Sequence, residues 1–180
     1  AEEEQRILRE LSEALSAGSG RLAADLGALA RLDLAEAEAL LASDLDAHAP
    51  EVGPVQDGFE LLSLRHPILV LQQKKVVASH VRLEPPSRAL IVSGPNGGGK
   101  TVAITAVGVS ALMLRAGLPV PAAQGSRLPF YLEVNAAVDE RGDMAKDLST
   151  FTAHLTSVKD MLGGAVPGSL VLVDEIAADT

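Results

Sequence analysis

Apolar positions recur at helical spacing along the N-terminal stretch. Ile7, Leu8, Leu11 and Leu15 make one stripe, and Leu22, Leu26 and Leu29 continue it. The pattern predicts a long helix over residues 4–32. Gly18-Ser19-Gly20 weakens its middle by about 1 kcal/mol per glycine and marks a candidate break. Asp33 followed by Glu36 has the form of a capping box, so a second helix is expected from Asp33, with Ala37, Leu40, Leu41 and Leu45 on its apolar side. Leucine stripes at this spacing read as packing faces, and both helices read as structural arms.

Residues 49–57 are rich in proline and glycine and read as a linker. Beyond them the apolar runs shorten. Phe59–Leu64, Val76–Leu83, Arg88–Val92 and Phe130–Val138 read as strands, and Leu170–Val173 as a buried parallel strand. Arg65–Leu69 reads as a turn and Asp139–Lys146 as a charged loop. Val102–Ala116 and Asp147–Leu162 read as helices, stopped by Gly117 and by Gly163-Gly164. Strands alternating with helices argue for an α/β sheet. No internal repeat is present.

Between the third strand and the first of these helices lies Gly94-Pro95-Asn96-Gly97-Gly98-Gly99-Lys100-Thr101. The spacing is that of a phosphate-binding loop, and the strand–loop–helix context is the one the motif requires. Gly94, Gly97, Gly98 and Gly99 can take positive φ and let backbone N–H groups close on phosphate oxygens. The helix beginning near Lys100 turns its positive end toward the same anion. Lys100 is expected to reach the β/γ-phosphates and the Thr101 hydroxyl to ligate Mg²⁺.

Leu170-Val171-Leu172-Val173-Asp174-Glu175 supplies the complementary pattern, an apolar strand ending in two carboxylates. Asp174 is expected beside the loop, orienting the metal shell, with Glu175 one residue on to orient and polarise the attacking water. The pair favours ATPases of the ABC, MutS and SMC kind over small GTPases. The chain has no Asn-Lys-x-Asp guanine-reading element.

Charge and composition narrow the partners. Of 180 residues, 47% are hydrophobic, enough for a real core. Residues 1–51 carry twelve acids against four arginines and no lysine, and the rest of the chain is near neutral. Neither part offers a basic footprint, so nucleic-acid contacts are expected mostly outside this chain. Aromatic residues are 2% of the chain and tryptophan is absent, which argues against base stacking. The absence of cysteine excludes a disulfide framework and a cysteine zinc site. No apolar run reaches membrane-spanning length, so no membrane partner is expected, and the lack of cysteine fits a reducing cytoplasm. The chain does not begin with Met and stops just after the second motif, so it is expected to be part of a longer protein.

These motifs resemble the MutS family. Gly94 to Thr101 is similar to its Gly-Pro-Asn-x-Gly-Gly-Lys-Ser/Thr loop, Ser149-Thr150-Phe151 to its Ser-Thr-Phe segment, and Asp174-Glu175 and Arg65-His66-Pro67 also fit. Lys100-Thr101-Val102-Ala103, Ala116 to Ala122, and Leu148 to Phe151 followed by His154 favour the endonuclease-MutS-two branch. The resemblance covers residues 58–180, with residues 1–48 looking like the lever and clamp helices that precede the ATPase. It implies a P-loop NTPase sheet of the ABC/MutS type with flanking helices, lacking its C-terminal part here. It implies ATP and Mg²⁺ as cofactors, and a homodimer with composite ATP sites. Ser149 would reach the partner's γ-phosphate. Asn96 would help hold that phosphate or the lytic water, and Pro95 would belong to the cofactor-binding loop. Lys75–Ala78 falls where the family packs adenine, so Val76 and Val77 would hold it by aliphatic contact.

Two departures stand out. Arg141 takes the place of a usual Gln, and Ala177-Ala178-Asp179 replaces a usual Gly-Ala-Gly before Thr180. The resemblance further implies a whole protein acting on branched DNA or on stalled ribosomes, with any nuclease activity outside this chain. His66 and His154 read as structural. Three alternatives stay open: a mismatch-repair MutS ATPase, a low-turnover nucleotide-dependent dimerisation module, and an unrelated P-loop enzyme such as a kinase.

Overall fold

A computed structural model describes residues 2–95, 97–138 and 148–174. The chain divides into two compact units, Ala1–Leu40 and Leu41–Thr180.

The N-terminal helix α1 runs without interruption over Glu2–Leu45, 44 residues. The break expected at Gly18–Gly20 and the new start at Asp33 are both corrected. Two glycines cost about 2 kcal/mol together, too little to interrupt a ladder that continues on both sides. Asp33 and Glu36 sit inside the helix as solvated side chains. Glu2, Glu3 and Glu4 lie in the first turn, where carboxylates complement the helix dipole. In the first unit the leucine stripe, including Leu8, Leu15, Leu22 and Leu29, is exposed.

The second unit holds the core. Leu45, at the end of α1, is 1% exposed and packs with Phe59, Leu61, Leu64, Val107, Ala111, Val120 and Leu128. Strand β1 (Phe59–Leu64) has the bounds read from the sequence, with Phe59, Leu61 and Leu64 buried and the register shifting between Leu61 and Leu64. It pairs antiparallel with β2 (Ser79–Leu83), Phe59 opposite Leu83 and Leu61 opposite Val81. β2 is shorter than expected, because Val76 to Ala78 stay outside the ladder. Between them, Arg65–Leu69 was expected to turn, and Pro67–Leu71 instead forms the short helix α2, with Pro67 in its first turn.

Helix α3 (Lys100–Arg115) buries Ala106, Val107, Ser110, Ala111 and Met113. It ends in a Schellman motif. The Gly117 N–H donates to Leu114 O at 3.0 Å and the Leu118 N–H to Met113 O at 2.9 Å. Helix α4 spans Leu148–Gly164. Strands β3 (Glu133–Ala137) and β4 (Ser169–Val173) pair in parallel, Glu133 opposite Ser169 through Ala137 opposite Val173. Every position of β4 is half-buried rather than fully covered.

The fold is thus mixed α/β, with two two-stranded sheets among the described residues. The strand expected over Arg88–Val92 does not form. The segment has no ladder partner among the described residues, and Ile91 is 88% exposed. Strand-forming side chains alone do not make a strand, because the backbone groups need a neighbour. Asp139–Lys146 lies outside the described residues, as do Asn96, Glu175 and the 176–180 ending.

Candidate functional site

The site is built where α3 begins. Gly94, Gly97 and Gly99 all have positive φ, and Gly99 is the N-cap residue of α3, in the left-handed region with φ 86° and ψ 14°. A Cβ placed on any of these three would meet no heavy atom within 4 Å. The glycines are therefore required by backbone shape and not by crowding. The Gly98 N–H donates to Pro95 O at 3.1 Å, closing the turn.

Lys100 and Thr101 open α3 and point to two sides of this loop. Lys100 Nζ donates to Gly94 O at 2.8 Å and to Pro95 O at 3.0 Å. The ammonium is thus folded over the loop. The Thr101 hydroxyl donates to Asp174 Oδ2 at 2.5 Å. Asp174 follows β4 directly, is 5% exposed, and donates its own N–H to Ala137 O at 2.9 Å, which fixes the strand end. A hydroxyl and a carboxylate, two hard oxygen donors, meet in a partly buried place one residue from the loop.

The distance between loop and strand end is set by Gly108, midway along α3. A Cβ there would stand 2.3 Å from Leu172 Cδ1. The missing side chain lets α3 lie close against β4, and that approach brings Thr101 to Asp174. Nothing in the chemistry of the loop motif points to Gly108. The signal was a lone glycine inside an otherwise apolar helix.

Of the residues expected at the site, Gly94, Pro95, Gly97, Gly98, Gly99, Lys100, Thr101 and Asp174 are brought together. Val76 is half-buried and Val77 is 80% exposed, on a stretch without regular structure, and no hydrogen bond among the described residues ties them to the loop. Ser149 is the second residue of α4. Its side chain and Glu175 lie outside the described residues. No group of three or more His, Cys, Asp or Glu able to hold a metal ion stands among the described residues.

The structure thus sets a glycine-rich loop at the head of a helix beside a carboxylate at a parallel strand end, within a mixed α/β domain. The family model for MutS domain V matches residues 90–180, which contain the whole of this constellation, and the chain belongs to that family. Its relatives include the endonuclease MutS2 of Anaeromyxobacter sp. (strain Fw109-5), 78% identical over 100% of this chain and 24% of the relative. The endonuclease MutS2 of Thermomicrobium roseum is 41% identical over 98% of this chain and 23% of its own length. That of Pelotomaculum thermopropionicum is 39% identical over 98% and 22%. The chain spans about a quarter of the length of these relatives.

Proposed function

We propose that this chain is the ATP-binding and hydrolysing part of a MutS-like DNA-binding protein. The observation that carries the reading is the convergence of the loop, the Lys100 ammonium, the Thr101 hydroxyl and the buried Asp174 carboxylate. The residues fit a nucleoside triphosphate with a divalent cation. The described loop residues are exposed, the backbone N–H groups and the helix start favour an anion, and Lys100 carries the balancing charge. Thr101 and Asp174 offer the few oxygen ligands that Mg²⁺ takes from protein when phosphates and water complete its shell. When bound, Mg²⁺ neutralises charge on the phosphate oxygens.

The chain's own residues then have distinct tasks. Lys100 leaves the carbonyls of Gly94 and Pro95 to hold phosphate oxygens. Thr101 and Asp174, now hydrogen-bonded to each other, would be the residues that hold the cation. Glu175 orients the attacking water, and Ser149 serves the site of a second copy in a head-to-tail dimer. Val76 and Val77 cover the adenine face. This reading places the protein in the cytoplasm, acting on branched DNA through regions outside this chain, with stalled ribosomes as the second candidate target. No helix among the described residues is long and apolar enough to cross a membrane.

The test is steady-state phosphate release by the full-length protein, with and without a DNA four-way junction. Glu175→Ala and Ser149→Ala are expected to lose turnover while keeping nucleotide binding, and Lys100→Met to lose binding by at least about tenfold. Turnover raised by the junction supports DNA as the target. Slow turnover that none of these substitutions changes would sink the assigned roles and favour a dimerisation module.

A further inference from the structure

Helix α3 meets β4 through two contacts of opposite chemistry. Thr101 and Gly108 lie about two turns apart on one face of α3. Leu172 and Asp174, with one residue between them, alternate onto one side of β4. The first contact is polar, with 2.5 Å between Thr101 Oγ1 and Asp174 Oδ2. The second is apolar, and it is close because Gly108 carries no side chain. A Cβ there would stand 2.3 Å from Leu172 Cδ1 and 3.8 Å from Leu172 Cγ.

Each of the two oxygens is held from behind within its own element. The Asp174 N–H donates to Ala137 O at 2.9 Å, continuing a parallel register that runs without a shift from Glu133 opposite Ser169 to Ala137 opposite Val173. The Thr105 hydroxyl donates to Thr101 O at 2.7 Å, which braces the first turn of α3. With strand end and first turn each fixed internally, the spacing of the oxygens follows from how closely α3 lies on β4. Gly108 and Leu172 set that approach.

We infer that Gly108 and Leu172 are positioning residues that set the cation selectivity of the Thr101–Asp174 pair, for Mg²⁺ against Ca²⁺. The inference rests on the nucleotide-binding reading above. Mg²⁺ is the smaller ion and demands close, near-ideal oxygen geometry, whereas Ca²⁺ accepts longer bonds and a looser shell. Two oxygens held this close favour the smaller ion. A side chain at position 108 props α3 off β4 and spreads the pair, which penalises Mg²⁺ more than Ca²⁺. The glycine-rich loop takes no part in the apolar contact. Lys100 is held there by Gly94 O and Pro95 O, so phosphate binding without a cation is expected to survive.

The test is binding of a fluorescent ATP analogue by the full-length protein, titrated with MgCl₂ and with CaCl₂. The readout is the ratio of the two half-saturating concentrations, with thermal midpoints measured alongside. Wild type is expected to reach half-saturation at less Mg²⁺ than Ca²⁺. Gly108→Val is expected to raise the Mg²⁺ requirement by about tenfold or more and the Ca²⁺ requirement by about threefold or less. Adding Leu172→Ala removes the obstructing atoms and is expected to return the ratio to within about threefold of wild type. Affinity without a cation is expected to stay within about threefold throughout. Gly108→Ala is expected to move the ratio the same way by less, and it decides the matter where the valine protein does not fold. A ratio unchanged in every folded Gly108 variant overturns the inference, and so does a double variant that regains the thermal midpoint but not the ratio. Equal losses for both cations, with cation-free binding lost as well, overturn it too, as does a wild type that binds nucleotide without preferring Mg²⁺. Absence of nucleotide binding by wild type overturns the nucleotide reading itself, and the inference with it.

Discussion

The Thr101 hydroxyl donates to Asp174 Oδ2 over 2.5 Å, joining the first turn of α3 to the end of β4. The bond gives a nearly buried carboxylate a partner. Thr101→Val keeps the side-chain shape and removes the donor, so Asp174 is left with one hydrogen bond fewer in a place water hardly reaches. The expected cost is about 1–3 kcal/mol in urea denaturation. In the double variant with Asp174→Ala the loss is expected to be smaller than the sum of the two single losses. Strict additivity would show that the two side chains do not support one another.

Gly108 sets how closely α3 approaches β4. Gly108→Val forces Leu172 and the helix apart and is expected to cost about 1–3 kcal/mol, more than the gain in helix propensity returns. Gly108→Ala is expected to cost less, because the atom it meets is the end of a leucine side chain. The two thermal midpoints, compared with wild type, check the order. A Gly108→Val protein as stable as wild type would contradict the close approach.

Ser110 lies on α3 at 0% exposure, and its hydroxyl has no hydrogen-bond partner among the described residues. An unpaired buried hydroxyl is a cost with no return. Ser110→Ala is expected to stabilise the protein by about 1 kcal/mol, with contributions from desolvation and helix propensity. Chemical denaturation of the two proteins side by side decides it, and destabilisation by the alanine would reveal a partner for the hydroxyl.

His66 precedes α2, and its Nδ1 is buried without a partner among the described residues. Desolvation holds its pKa below the ordinary 6.5, opposed by a weaker effect of its own backbone. The unfolded chain then binds a proton that the folded chain resists. The stability contributed is present in full above about pH 6.5 and falls as the pH drops through the lower folded-state value. His66→Asn is expected to shrink the difference in urea midpoint between pH 7.5 and pH 5. An unchanged difference would assign the acid sensitivity to other groups.

The parts of the fold legible in the sequence are those with a complete local signal. β1 is a short apolar run between turn residues, and its bounds are Phe59 and Leu64 as read. The loop, the start of α3 at Lys100 and the stop at Gly117 follow from glycine placement. Asp174 at the end of an apolar strand is likewise found beside Thr101. What local pattern could not settle depends on partners. Arg88–Val92 has strand-like side chains but no neighbouring backbone among the described residues. Gly18–Gly20 has a helix-weakening composition but intact turns on either side. The ion pair of Arg65 with Asp46 at the end of α1 was hidden because the two are 19 residues apart and each looks ordinary alone.

Helix α3 is closed at both ends, by the left-handed Gly99 before Lys100 and by the Schellman turn at Gly117. That makes it a gauge of fixed length. One residue inserted or deleted between these stops would rotate everything beyond it by about 100°. Either Thr101 would swing away from Asp174, or Val107 and Ala111 would leave the core. Related chains are therefore expected to vary in length before Gly94 or after Pro121, and to hold the count between Lys100 and Ala116 constant.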